Sequence, residues 1–342
     1  MKNHYNPSLD LYLKYKNVFE EYGIQAIEEI AQKWTEPHRF FHNEAHLASI
    51  LKVIEAQFEK GEINEEERNI LLMSAYFHDV VYDPKRNDNE EQSAVFFVKR
   101  AGSHPNINQV REIILDTKTH EPNNPLSKRF TDIDMQIVTQ SDFTDLLEWE
   151  LSIFKEYQYI DYTVYKIHRL ILLRKMADSY PENRTNLQHL VDYLEKHKPK
   201  IGIYPGSFNP FHFGHLNILE KAERIFDKVI IARGINPNKE DVNAAPLEVN
   251  VLKYRQFENF SGFLTDYINT KEQYAEVTLI RGLRNGADLD YEVNQLRFME
   301  DMKPDLKVIF IPCDKEFEHI SSSSIKNMER IDKDFSKRYV PL

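Results

Sequence analysis

The chain has 342 residues, 41% hydrophobic and 29% charged, with a formal charge of −11. That is the composition of a globular protein too long for one ordinary core, so two domains are expected. From Pro199 onward it holds about 20 basic and 22 acidic residues, so most of the negative excess lies earlier; this disfavours a broad nucleic-acid surface, while a local basic pocket still suits small anionic substrates.

Up to about Lys198 the pattern is helical almost throughout. Leu11, Tyr12, Tyr15, Val18 and Phe19 recur at helical spacing, as do Leu47, Leu51, Ile54 and Phe58. Asn64 followed by EEER reads as a helix start. The nearly unbroken apolar run NILLMSAYFHDVVYD then predicts a central buried helix. DNEEQSA (88–94) reads as a further capped helix start. After KHKPK the texture changes. IGIYPG, KVIIARG, EVTLIRG and KVIFIP are short β-branched runs ending in Gly or Pro, separated by helical segments such as LNILEKAERIFD. Strands alternating with helices imply a parallel sheet, with ligands beyond the carboxyl ends of its strands. The expected architecture is an all-α domain over residues 1–197 followed by a Rossmann-like α/β domain over 198–342.

Cys313 is the single cysteine, which excludes an intrachain disulfide and a cysteine-based zinc site. No apolar run could span a bilayer. A reducing cytoplasmic setting is therefore expected, with neither membrane nor nucleic acid as partner.

Candidate ligands in the helical part occur in FHNEAH (41–46), FHDVVYD (77–83), TKTHEP (117–122) and FTDIDM (130–135). His42 and His46 are four apart and on a helix would share a face. His78 and Asp79 offer a nitrogen and an oxygen within apolar sequence, where a charge needs a partner or a metal. Single histidines on helices are usually surface or hydrogen-bonded core residues; the combination is stronger than its parts. Imidazole plus carboxylate without thiolate suits Zn, Mn, Fe or Mg.

These motifs resemble the HD superfamily of metal-dependent phosphohydrolases over roughly residues 30–175. FHNEAH is similar to the Tyr-His-Asn-x-x-His signature of cyclic nucleotide phosphodiesterases, with Phe41 in place of Tyr. FHNEAH, FHDVVYDP and DNEEQSA, in that order, resemble an uncharacterised group within the superfamily. The resemblance implies His46, His78, Asp79 and Asp134 as metal ligands and His42 as general acid. Asp116, Asp132 and His120 lie near enough in sequence to compete with Asp134, or in the case of His120 to serve a second metal. Asp83, Asp88, Glu90 and Glu91 are candidates for supporting or substrate-contacting roles. The implied reaction is attack of metal-activated water on a phosphoester.

In the second part neither GxxxxGK[ST] nor GxGxxG occurs. What stands instead is strand, then GSFNPFHFGH, then helix. Gly206 and Gly214 would let backbone N–H groups approach phosphate at a helix N-terminus. His212 and His215 could stabilise charge at an α-phosphorus. Lys239, Arg281, Arg284 and the serines of HISSSSIK follow the later strands, where phosphoryl and nucleotidyl transfer needs positive charge and hydroxyls. Read separately, SSSS is a polar loop with an N-cap serine and RGLR a basic surface turn.

YPGSFNPFHFGH, IRGLRNGADLDYE and HISSSSIK resemble the phosphopantetheine adenylyltransferases, a branch of the HxGH nucleotidyltransferase superfamily, over about 200–332. The resemblance implies His215 as the transition-state histidine. Ser207 would contact acceptor phosphate and α-phosphate. Lys239 and Arg284 would bind phosphate, with Arg281 on the acceptor side and Glu292 on the adenine and ribose side. Gly206, Phe208 and His212 would line the ATP site, and Ser321, Ser322 and Ser323 would hold the triphosphate. The implied reaction joins ATP, carried with Mg²⁺, to 4'-phosphopantetheine, giving dephospho-CoA and pyrophosphate in coenzyme A biosynthesis. Nicotinamide mononucleotide is the alternative acceptor, and an HD hydrolase with a C-terminal nucleotide-binding module the alternative protein. Asn209 replaces the family's usual Asp, and His212 stands where it more often has Thr. The family forms homo-oligomers, while this chain ends at YVPL without the family's last helix. GFLTDY (262–267) is the candidate pantetheine-contacting segment.

Overall fold

The computed structural model describes residues 9–235 and 249–341. The chain divides into two compact units: Met1–Glu156 with Leu172–Val191, and Tyr157–Ile171 with Asp192–Leu342.

The described residues of the first unit are helical. Its central helix, Glu65–Phe77, starts as the sequence predicts: Asn64 Oδ1 accepts from the Glu67 N–H, and the Glu67 carboxylate accepts from the Asn64 N–H. Every residue from Ile70 to Phe77 is buried, so no face of this segment is left for solvent. Tyr12, Phe19, Trp34, Leu47, Ile54, Phe97, Ile113 and Phe130 close around it, and the Trp34 indole N–H finds the Tyr76 carbonyl at 3.0 Å.

Two sequence expectations need correction here. His42 does not share a helix face with His46. Asn43 is extended and its side chain accepts from the Ala45 N–H, so the helix is Glu44–Glu59 and His42 precedes it. Asp88 does not cap the helix Asn89–Arg100 through its side chain; its carboxylate is held bidentately by Arg86 instead.

In the second unit five strands form one parallel sheet in the order β3-β2-β1-β4-β5. They are β1 (Lys200–Pro205), β2 (Lys228–Gly234), β3 (Gln256–Phe260), β4 (Glu276–Leu283) and β5 (Val308–Pro312). Registers such as Ile203↔Ile230 and Ile203↔Leu279 put β1 between β2 and β4. The chain winds outward from β1 through β2 to β3, then returns to the other side of β1 as β4. That reversal places a crevice at the carboxyl ends of β1 and β4. Gly202 permits the packing below it: a Cβ there would lie 2.5 Å from Ile280 Cδ1 and 2.8 Å from Phe226 Cδ2.

At the opposite edge of this sheet, Asp161 from the early segment accepts from Lys271 at 3.2 Å and from the Tyr274 hydroxyl at 3.1 Å. Lys271 also pairs with Glu258, and the buried Lys228 ammonium donates to the Gln158 carbonyl. Residues 157–161 thus supply polar partners to buried groups of the sheet.

Candidate active sites

In the first unit, one ligand atom from each of His46, His78 and Asp134 lies within 4.8 Å of the other two. His46 Nε2 is 3.1 Å from Asp134 Oδ1, His78 Nε2 is 3.6 Å from the same oxygen, and His78 Nε2 is 3.2 Å from Asp79 Oδ2. Two ligands about 2.1 Å from one ion lie roughly 3.0–3.4 Å apart at octahedral or tetrahedral angles, so the 3.1 and 3.2 Å separations fit the edges of a coordination shell and the 3.6 Å one is slightly longer. His78 Nδ1 faces the Ala75 carbonyl at 2.9 Å, which turns Nε2 toward the carboxylates, where it is buried without a hydrogen bond among the described residues. A buried, aimed and unsatisfied nitrogen is what a metal ligand looks like before its ion is considered. With no ion, a proton answers the same field. Burial alone would lower the His78 imidazole, but the Asp79 and Asp134 charges raise it to about 9.

The competing carboxylates are otherwise engaged. Asp116 accepts from the Asn123 backbone and side chain and from the Ser127 hydroxyl. Asp132 is exposed and paired with Lys128. His120, with φ of 55°, brings Nε2 to 3.8 Å from Asp134 Oδ2.

Glu156 is the residue that sequence reasoning missed. It is buried, and its Oε1 accepts three backbone N–H groups, from Phe40, Phe41 and His42, at 2.7–2.9 Å. Its Oε2 receives His42 Nδ1 at 2.7 Å and the Tyr82 hydroxyl at 2.6 Å. Burial would raise this carboxyl, but the His42 charge and these bonds hold it at about 2. In return, His42 is raised despite its own burial penalty. The pair leaves His42 Nε2 available as a proton donor. The only sequence signal was an acidic residue on the buried face of Phe143–Glu156.

In the second unit a cavity of about 320 Å³ opens at the β1/β4 crevice. Gly206, Phe208, His212 and His215 form one wall; Arg281, Arg284 and Glu292 come from β4 and the helix after it; Ser321 and Ser322 close it from beyond β5. Ser207 and Ser323 are exposed and lie outside this lining. Lys239 lies outside the described residues, which resume at position 249. GFLTDY follows the carboxyl end of β3.

The two histidines lock each other. His212 caps the helix Phe213–Ala222: its Nδ1 accepts from the His215 N–H, and His215 Nδ1 accepts from the His212 N–H, both at 3.3 Å. A backbone N–H can only donate, so both Nδ1 atoms carry lone pairs and both rings keep their proton on Nε2. The rings stack at 3.5 Å between centroids. Burial and the nearby Arg284 charge push His212 down to about 4; burial, His212 and Arg284 hold His215 well below its ordinary value. Two neutral imidazoles can therefore each offer an N–H to a phosphate oxygen.

Gly206 acts differently from the expectation. The Gly206 N–H donates to the Ala232 carbonyl at 3.0 Å, so it is not free for phosphate. Its missing side chain makes room for Phe208, whose Cζ would lie 2.8 Å from a Cβ there; at Gly214 the His212 ring plays the same part at 3.1 Å. Arg284 is held by Asp288 through Nε and Nη2, each at 2.8 Å, which leaves its remaining donors for an anion. Arg281 Nε stands 3.2 Å from Glu292 Oε2.

A parallel sheet with a switch-point cavity holding an HxGH pair, two arginines and a serine-capped helix defines a nucleotidyltransferase. Comparison agrees: residues 203–328 match the cytidylyltransferase-like family. A phosphopantetheine adenylyltransferase from Wolbachia pipientis wMel is 36% identical over 146 residues, covering 40% of this chain and 85% of that protein. Those of Alkaliphilus metalliredigens and Clostridium perfringens are each 34% identical over 149 residues, covering 42% of this chain and 92% and 88% of theirs. Through its C-terminal part, the chain belongs to the phosphopantetheine adenylyltransferase family. Among the described residues no helix is long and apolar enough to cross a membrane.

Proposed function

We propose that the second unit transfers AMP from ATP to 4'-phosphopantetheine, giving dephospho-CoA and pyrophosphate. The observation that carries this reading is the meeting of His212, His215, Arg281, Arg284, Ser321 and Ser322 around one cavity in a chain of that family. An acceptor phosphate oxygen attacks the α-phosphorus in line, and the bond to the β-phosphate oxygen breaks. The His215 Nε2–H donates to the α-phosphate oxygens as their charge grows. Its depressed pKa keeps it a hydrogen-bond donor rather than an acid, so no proton need move. Arg281 orients the acceptor phosphate, and Arg284 with Ser321 and Ser322 holds the departing pyrophosphate. Mg²⁺ on the triphosphate would offset its charge. Residues 198–342 carry this activity, with 157–171 packed in the same unit. Supplying ATP with 4'-phosphopantetheine or with nicotinamide mononucleotide tests the acceptor: dephospho-CoA is expected, and NAD alone would refute it.

A second activity is favoured by the His46, His78 and Asp134 cluster together with the His42–Glu156 pair. On this reading the first unit, Met1–Glu156 with Leu172–Val191, forms a metal-dependent phosphohydrolase of the HD type. His46, His78, Asp79 and Asp134 would hold a divalent cation from the Zn, Mn, Fe and Mg group, and the ion would supply activated water and polarise a phosphoryl oxygen. Glu156 orients His42, whose Nε2 protonates the leaving oxygen. Metal analysis of the purified protein, followed by a screen of phosphomonoesters, nucleotides and cyclic nucleotides, tests this. A protein that binds no divalent cation would sink it.

A further inference from the structure

The two walls of the transferase cavity come from distant stretches. His212 and His215 open the helix Phe213–Ala222, whereas Ser321 and Ser322 open the helix Ser322–Glu329 beyond β5. Outside the cavity, a group of polar side chains joins them. The Asn217 amide pairs reciprocally with Asp314: Nδ2 donates to Asp314 Oδ2 at 2.8 Å, and Oδ1 accepts from the Asp314 N–H at 2.9 Å. Lys221 stands one turn further along the same helix face. It donates 2.7 Å bonds to Asp314 Oδ1 and to the carbonyl of Pro312, the last residue of β5. At the other end of the same loop, Ser322 Oγ donates to the Pro210 carbonyl at 3.1 Å.

We infer that Asn217, Lys221 and Asp314 form a clasp that sets the spacing between His215 and the Ser321–Ser322 pair. They are positioning residues for the triphosphate half of the reaction, a role that rests on the adenylyl transfer proposed above. The Lys221 and Asp314 side chains are 29% and 55% exposed, so the ion pair contributes little to overall stability. Displacing a reacting group by about an ångström can nonetheless cost roughly a hundredfold in rate. The clasp ties down only the donor side, since Arg281 on the acceptor side is carried by β4. Loss of the clasp therefore separates the two substrates kinetically, which a general loss of fold would not do.

Full-length Asp314→Ala and Lys221→Met proteins test this against wild type. For both, kcat/KM for ATP is expected to fall roughly 10- to 100-fold, with KM for 4'-phosphopantetheine within about twofold and a melting temperature within about 3 °C of wild type. Asp314→Asn, whose single amide oxygen can serve Asn217 or Lys221 but not both, is expected to fall between wild type and Asp314→Ala. An ATP kcat/KM unchanged within about twofold in both variants, or a KM for 4'-phosphopantetheine that rises by as large a factor as the ATP kcat/KM falls, would overturn the clasp. A wild-type chain that transfers AMP to no acceptor would instead overturn the parent reading, so the two failures are distinguishable.

Discussion

Lowering the pH should destabilise the transferase unit through His212, and the size of the effect follows from its surroundings. This ring is buried, accepts a backbone N–H at Nδ1 and stacks on a second imidazole near a guanidinium. Its folded pKa lies near 4, whereas the unfolded side chain titrates near 6.5. Because the folded value is depressed, the unfolded chain takes up the proton first as pH falls. The stability contributed is complete above about pH 6.5 and is lost progressively toward pH 4. Between pH 7 and pH 5 the loss comes to about 2 kcal/mol, or roughly 4–8 °C for a unit of this size. His215, held low by the same surroundings, pushes in the same direction. The matched control is His212→Thr, which keeps an oxygen acceptor at the helix N-cap but cannot titrate. Scanning calorimetry provides the assay: the transition that ATP moves upward belongs to this unit. Wild type should lose several degrees more than His212→Thr between pH 7 and pH 5. Equal losses in the two proteins would refute the argument that His212 is held neutral by its surroundings.

Removing ligands from the first unit should abolish stoichiometric metal binding: His78→Ala and Asp134→Ala proteins are expected to hold no divalent cation after dialysis, by elemental analysis, where wild type holds one. Retention in both would contradict the proposed centre. In Glu156→Gln the buried neighbour of His42 loses its charge, so the His42 pKa should fall, read by NMR titration in the metal-free protein; no change would show that Glu156 does not set it. Glu156→Ala should be far less stable, by about 2–4 kcal/mol, because three backbone N–H groups lose their acceptor. Asp161→Ala should lower the ATP-responsive calorimetric transition by roughly 2–6 °C, since Lys271 and Tyr274 lose a shared partner. An effect confined to the other transition would show that residues 157–171 do not belong to the transferase unit.

Where a candidate site is built from a contiguous motif, its place in the fold is legible in the sequence. Strand, GSFNPFHFGH and helix had to lie at a carboxyl edge of a parallel sheet, and the structure puts His212 and His215 there with Arg281, Arg284 and Ser321. What the sequence hid were partnerships between distant residues. Nothing near Glu156 points to His42, 114 positions away, and nothing near Asp314 points to Asn217, 97 positions away. Local pattern also misled where two outcomes share one spelling. A glycine beside a phosphate motif means backbone access or room for an aromatic ring, and at Gly206 it is the ring. Histidines four apart share a helix face only if the helix includes both, and the Asn43 cap starts it too late for His42.

The central claim concerns which phosphorus is attacked and by what, and isotopic labelling tests it most directly. With [α-³²P]ATP and 4'-phosphopantetheine, the full-length protein should place the label in dephospho-CoA and release unlabelled pyrophosphate, and His215→Ala should slow this roughly 100- to 1000-fold. Label recovered only as ADP or AMP, or transfer at the same rate in His215→Ala, would contradict the account.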